Sequence, residues 1–157
     1  MPVLSFPGFS FRIKTHEGGK MIFDVFRRKY VSLTPEEWVR QNMLHFLVEE
    51  KKYPRGLIGV EKEIKLNRTK RRYDAVVFSR TAKPVMLVEC KSPDVKINQD
   101  VFNQILRYNI ALKVPYLLVT NGKNHYICKM ESGAGSCKFL NEIPSFGEIE
   151  KIIATMV

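Results

Sequence analysis

The sequence predicts an α/β protein: a β-sheet with helices packed against it, in the core order helix, three strands, helix, strand, preceded by an N-terminal β-hairpin. Three observations carry this prediction. Thr34-Pro-Glu-Glu37 has the grammar of a helix start. Val85 to Val88 is a continuous apolar run, as in a strand covered on both faces. Asn121-Gly122, between two apolar segments, is a strong hairpin-turn signal.

Each element has its own justification. Phe9, Phe11 and Ile13 alternate with polar residues, His16 to Lys20 supplies a Gly-Gly turn, and Met21 to Phe26 is a second apolar run, so residues 1–30 read as a hairpin. In the first helix Thr34 caps, Pro35 fits the first turn, Glu37 completes a capping box, and Val39, Met43, Phe46 and Leu47 recur at helical spacing. That helix should fade near Lys52, because Pro54 disfavours helical geometry at Tyr53. Strands are expected at Leu57 to Leu66, Tyr73 to Phe78 and Val85 to Cys90. A second helix spans about Asn98 to Leu112, with Val101, Ile105, Tyr108 and Leu112 on one stripe. Tyr116 to Thr120 and His125 to Lys129 flank the turn, and Phe146 to Ile153 is a closing amphipathic segment.

At 157 residues the chain suits one domain, with a hairpin over 1–30, a core over 31–144 and a C-terminal helix over 145–157. Its composition, 45% hydrophobic and 27% charged, argues against disorder. Cys90, Cys128 and Cys137, with His16, His45 and His125, show no zinc-ligand spacing, and an odd cysteine count fits a reducing compartment. There is neither a secretory leader nor an apolar run of membrane-span length, so a cytoplasmic protein without membrane partners is expected. The net charge of +10 and pI near 9.6 fit a polyanionic partner such as nucleic acid, or a basic but otherwise inert surface.

Chemistry concentrates at the end of the apolar strand. Glu89 and Lys91, two apart, share a strand face about 6–7 Å from one another. If the strands before and after Ser79 to Pro84 form a hairpin centred between Thr81 and Ala82, Asp74 stands opposite Glu89. Two opposed carboxylates call for a compensating charge, and oxygen ligands suit Mg²⁺. A hairpin centred between Arg68 and Thr69 would put Glu63 opposite Asp74, with Glu61 two residues away; either is a further acid of the site or a solvated strand residue.

Asp74 followed by Glu89-Cys90-Lys91 resembles the D…(D/E)-x-K signature of PD-(D/E)XK nucleases. Gln104-Ile-Leu-Arg-Tyr108 is similar to the Q-x-x-x-Y motif of one branch of that superfamily. With Thr-Pro-Glu-Glu-Trp-Val-Arg, Glu-Cys-Lys-Ser-Pro and Thr-Asn-Gly, the stretch from about Val31 to Pro144 resembles the N-terminal nuclease domain of type I restriction enzyme R subunits. The resemblance implies a restriction-endonuclease-like mixed β-sheet flanked by helices and a metal-dependent DNA endonuclease of restriction or defence. Mg²⁺, or Mn²⁺, would be bound by Asp74, Glu89 and the Cys90 backbone carbonyl, with Lys91 orienting the attacking water or offsetting transition-state charge. Gln104 and Tyr108 would support the site, Tyr108 equally serving the core. Glu36 either fills the family's acidic position on the first helix or answers the helix dipole, and Arg40 pairs with an acid or a phosphate. Lys65, Arg68, Lys70, Arg71 and Arg72 crowd the turn before Asp74 and read as a phosphate clamp or as a solvated turn. The chain has no P-loop, so partner helicase or specificity subunits are implied for any translocating role. The alternative is a nucleic-acid-binding module of the same fold, with weak or lost catalysis, acting with partner subunits.

Overall fold

A computed structural model describes residues 3–66, 69–110, 112–131 and 137–155; the side chains of Leu66, Thr69, Tyr108 and Ile110 lie outside the described set. Helix α1 (Pro35–Glu49) begins where expected, with Thr34 Oγ1 accepting the Glu37 amide at 3.0 Å. The capping box closes on that side only. Glu37 turns its carboxylate inward to Arg27 and Gln41, and the Thr34 amide donates to the Ser32 carbonyl.

The chain then forms β4 (Ile58–Leu66), β5 (Thr69–Phe78) and β6 (Pro84–Cys90), crosses over through α2 (Gln99–Ile110), and continues as β7 (Tyr116–Thr120), β8 (His125–Met130) and β9 (Cys137–Phe139). These strands make one six-stranded sheet in sequence order. It is mixed: β6 and β7 are parallel, and every other neighbouring pair is antiparallel. Strand β9, only three residues long, carries too little pattern to be read from sequence. The sheet is covered on both faces. On one side Val39, Met43, Leu44 and Leu47 of α1, with Phe146 and Ile149 of α3 (Phe146–Ala154), pack on Ala75, Val77, Val88 and Leu118. On the other, Phe102 and Ile105 of α2 pack on Val76, Leu87, Leu117 and Val119. Both faces of β6 and β7 are thus dry along most of their length, which is why Val85–Val88 and Tyr116–Val119 are apolar runs.

The N-terminal region departs from the expected hairpin. It is a three-stranded antiparallel sheet of β1 (Ile13–His16), β2 (Gly19–Asp24) and β3 (Lys29–Ser32). The chain turns back because Asp24 Oδ1 accepts the amides of Phe26 (2.8 Å) and Arg27 (3.3 Å), and Arg28 adopts φ +56°. Phe9 and Phe11 are not strand residues; their rings lie against His45, and Phe11 also against Trp38, along α1. No helix among the described residues is long and apolar enough to cross a membrane.

The loop between β7 and β8 is held by Asn121, whose Oδ1 accepts the Lys123 and Asn124 amides while its Nδ2 donates to the Val95 carbonyl at 2.9 Å. Gly122 sits at φ +86°, and a Cβ there would lie 2.7 Å from Leu4 Cδ2 and 3.1 Å from Val39 Cγ2. Gly122→Ala should therefore lower stability by about 1–3 kcal/mol through backbone strain and crowding. The readout is a lower urea midpoint at unchanged m-value.

Candidate active site

The β5–β6 ladder runs through Val77–Met86, Val76–Leu87 and Ala75–Val88, the register expected from a turn centre between Thr81 and Ala82. It stops one step short of Asp74 and Glu89. There the strands part, and Asp74 Oδ2 accepts the Cys90 amide at 2.6 Å. Asp74 is released on its other side too, because the β4–β5 ladder passes from Val60–Ala75 to Lys62–Tyr73 and skips it. Facing that gap is Glu61, at φ +53°. Tyr73 and Ala75, two apart, pack in opposite layers, so the side-chain alternation slips at Asp74. Such irregularities re-aim a side chain at a sheet end.

The β4–β5 register corrects one expectation. Leu66 pairs with Thr69 and Glu63 with Arg72, so Glu63 does not face Asp74; the pairing is shifted by two residues, and Glu61 takes that place. A shift of two preserves the face, which keeps an acid beside Asp74.

Glu89 is buried at the end of β6, with 7% of its surface exposed, and among the described residues its Oε1 has no hydrogen-bond partner. Its Oε2 lies 3.8 Å from Arg71 Nη2. Burial, then the nearby charge of Asp74, push its carboxyl pKa up to about 7, against the opposing pull of Arg71 and Lys91. Burial also raises Asp74, while the Cys90 amide, Arg40 and Lys91 act in the opposite sense. Glu36 is exposed on the first turn of α1, yet local desolvation and Asp74 raise its carboxyl as well, and Arg40 and Lys91 lower it. The structure thus brings Glu36, Asp74, Glu89 and Lys91 into one electrostatic neighbourhood. The Lys91 amide donates to Thr120 O at 2.8 Å, so β7 fixes the backbone that carries this amine.

Behind Asp74 stands an ion network of which the sequence indicated only an acid partner for Arg40. Arg40, 7% exposed, directs Nη1 to the Asp74 carbonyl (3.3 Å) and Oδ1 (3.8 Å), and also reaches Glu37 (3.2 Å) and Glu61 (3.6 Å). Arg27, in the β2–β3 turn, bonds Asp24, Glu37 at 2.8 Å and Glu61 at 3.5 Å. Arg40 is therefore committed to carboxylates inside the fold and is not displayed to a surface phosphate. Nothing in the local sequence flags Arg27 or Asp24, because their partners are set by packing of the N-terminal sheet.

The remaining candidates separate. Lys70 and Arg72 are exposed on β5, Lys70 directly across from Lys65, and Arg72 lies 3.6 Å from Glu63. Arg71 is half-buried between Glu89 and the Tyr73 ring. Gln104 is exposed on α2. Tyr108 lies on α2 with its side chain outside the described residues, and Arg68 lies outside them altogether. Among the described residues no group of three or more His, Cys, Asp and Glu is placed to hold a metal. A hard divalent cation needs no such group, since Mg²⁺ takes one or two carboxylates and keeps several waters. Asp74, Glu89 with its unsatisfied Oε1, and the Cys90 carbonyl fit that demand.

A mixed sheet between helical layers, presenting two desolvated carboxylates and a lysine at one strand end, defines a nuclease-like α/β domain. A family model, type I restriction enzyme R protein N terminus (HSDR_N), matches residues 35–144, and the chain belongs to that family. A similar solved structure is a fragment described as an HsdR subunit of a type I restriction enzyme from Vibrio vulnificus YJ016. The two share 18% identity at a TM-score of 0.49, over 71% of this chain and 24% of that one. No curated protein matches the chain.

Two outcomes follow from the site's charge. With Glu89 raised from 4.5 to about 7, the metal-free folded protein binds more protons than the unfolded chain across that window. Stability should therefore fall as pH rises from about 4.5 to above 7, and Glu89→Gln should flatten that decline in thermal melts. Arg40→Ala leaves Glu37 its bonds to Arg27 and Gln41 but takes the nearby cation from Asp74, and should cost about 1–3 kcal/mol in denaturant unfolding.

Proposed function

We propose that this domain hydrolyses DNA phosphodiester bonds in a metal-dependent reaction, as an endonuclease of restriction or defence. The observation that carries the reading is the pairing of half-buried Asp74 with buried Glu89 at the parted end of β5 and β6, with Lys91 beside it and one Glu89 oxygen unsatisfied among the described residues. Two acids that disfavour each other's ionisation make a poor structural element and a good cation site. When bound by Asp74, Glu89 and the Cys90 carbonyl, Mg²⁺ or Mn²⁺ would polarise the scissile phosphate and acidify the attacking water. Lys91 supplies positive charge toward the negative charge that develops on the phosphate oxygens. Arg40 orients Asp74 from behind, and Glu36 adds negative charge at the entrance. Lys65, Lys70 and Arg72 at the β4–β5 hairpin attract the backbone of the substrate. Family membership supports the restriction setting. In that setting the domain works beside helicase and specificity subunits that move and select the DNA.

A second reading is favoured by one observation. Arg71 approaches Glu89 and Arg40 approaches Asp74, so part of the negative charge is compensated without metal. The same fold could then hold DNA for partner subunits without cutting it.

Incubation with linear, supercoiled and single-stranded DNA separates the two. Cutting should require Mg²⁺ or Mn²⁺ and fall at least about 100-fold in Glu89→Ala and in Lys91→Ala. Metal should also raise the thermal midpoint of the wild type at pH 8, and not that of Glu89→Ala. Metal-independent binding without any cutting, alone or with the partner subunits, would select the second reading.

A further inference from the structure

The N-terminal sheet lies ahead of residues 35–144, the part matched by the family model. Its register sorts its side chains onto two faces. Ile13, Ile22 and Val31 align in one row; Ile22 is fully buried and Val31 half-buried, so this face looks inward over β2 and β3, while Ile13 on β1 stays exposed. On the opposite face Phe23 stands beside Tyr30, and Lys14 beside Met21 and Ser32. The Phe23 amide donates to Arg12 O at 2.8 Å, which carries the register one step further and places Arg12 beside Phe23.

The cations on this outer face are held by rings. The Arg12 guanidinium carbon is 4.0 Å from the Phe23 ring centroid, Lys14 Nζ is 4.0 Å from that of Tyr30, and the two rings meet edge-on at 5.2 Å. Arg12 and Lys14 are exposed, and among the described residues neither has a carboxylate within 4.0 Å. Arg27, Arg40, Arg71, Arg72 and Arg80 all do. The two acids of residues 12–32 are Glu17, in the β1–β2 turn, and Asp24, buried beneath Arg27. A ring holds a cation in place without neutralising it. Two such cations keep their charge for an outside anion and lose less freedom on meeting one. Because they cover the rings, bases have no free aromatic face to stack on, and the chemistry selected is phosphate.

Position completes the case. The Arg12–Phe23–Tyr30 row adjoins the 25–28 turn, and Arg27 of that turn is tied to Glu37 and Glu61 beside Asp74. We propose that the outer face of β1–β3 is a second DNA contact, in which Arg12 and Lys14 grip successive backbone phosphates and lead the strand to the Asp74–Glu89 end of the sheet. The choice of DNA as the occupant rests on the nuclease reading; the charge and geometry of the face do not.

The test is fluorescence anisotropy of a short labelled single strand and of its duplex, across a salt series with Ca²⁺ in place of Mg²⁺. The full chain is compared with Arg12→Gln/Lys14→Gln, which keeps much of each stem over its ring, and with Lys138→Ala/Lys151→Ala, a charge-matched control at two exposed sites on β9 and α3. Loss of two phosphate contacts should weaken binding about tenfold and lower the salt slope by about 1.8 for duplex or about 1.4 for single strand. The control should stay within about twofold. Unchanged affinity and slope in the Gln pair, equal losses in the control, or no binding by the wild type would each overturn the proposal. Binding that the Gln pair weakens, in a protein that never cuts with Mg²⁺, would leave this surface standing and remove the hydrolase. Cutting with no effect of the Gln pair would do the reverse.

Discussion

Arg27 and Arg40 lie within 4 Å of four carboxylates, those of Asp24, Glu37, Glu61 and Asp74, and these contacts join the N-terminal sheet, α1, β4 and β5 at one point. Burying such groups is tolerable only while each stays paired, because an isolated ion in a dry interior costs several kcal/mol. The arrangement therefore locks these four elements into one geometry. It also leaves acids in excess over arginines, and Glu89 extends that excess to the end of β6. Negative charge is thus concentrated at one point of a chain whose net charge is +10.

Much of this was legible in the order of residues. The helix start at Thr34-Pro35, the dry strand Val85 to Val88, and the Asp74–Glu89 register each followed from a local rule of capping, burial or turn counting. The errors share a cause. Register in the β4–β5 hairpin depended on its turn, and a basic, Gly-free stretch around Arg68 gave no anchor for counting. Strand β3 was hidden because the preceding turn is built by the Asp24 carboxylate and a left-handed Arg28, without Gly or Pro. Most of the ion network was invisible for a different reason. Arg27 and Glu37, or Arg40 and Asp74, meet only after separate elements dock, and no periodicity encodes such meetings.

Family membership and local geometry speak to different parts of the chain. The matched segment contains α1, the six strands and the acids, whereas β1–β3 stand ahead of it. Even so, the β2–β3 turn supplies Arg27, which shares Glu37 and Glu61 with Arg40. The added sheet thus belongs to the support of the acids while its outer face carries cations of its own. A side chain donated from outside the shared core is a means by which one member of a family can alter charge near a common centre without altering the centre's own residues.

The parallel pairing of β6 with β7 has a consequence for the order of assembly. Strands β4, β5 and β6 meet through short turns and can zip locally, whereas β7 arrives only after the crossover 91–115 closes. Since the Lys91 amide is fixed by the Thr120 carbonyl, the acids can gather before the backbone at Lys91 is anchored. A partly folded chain would hold its carboxylates together before the segment that carries Lys91 is fixed against the sheet.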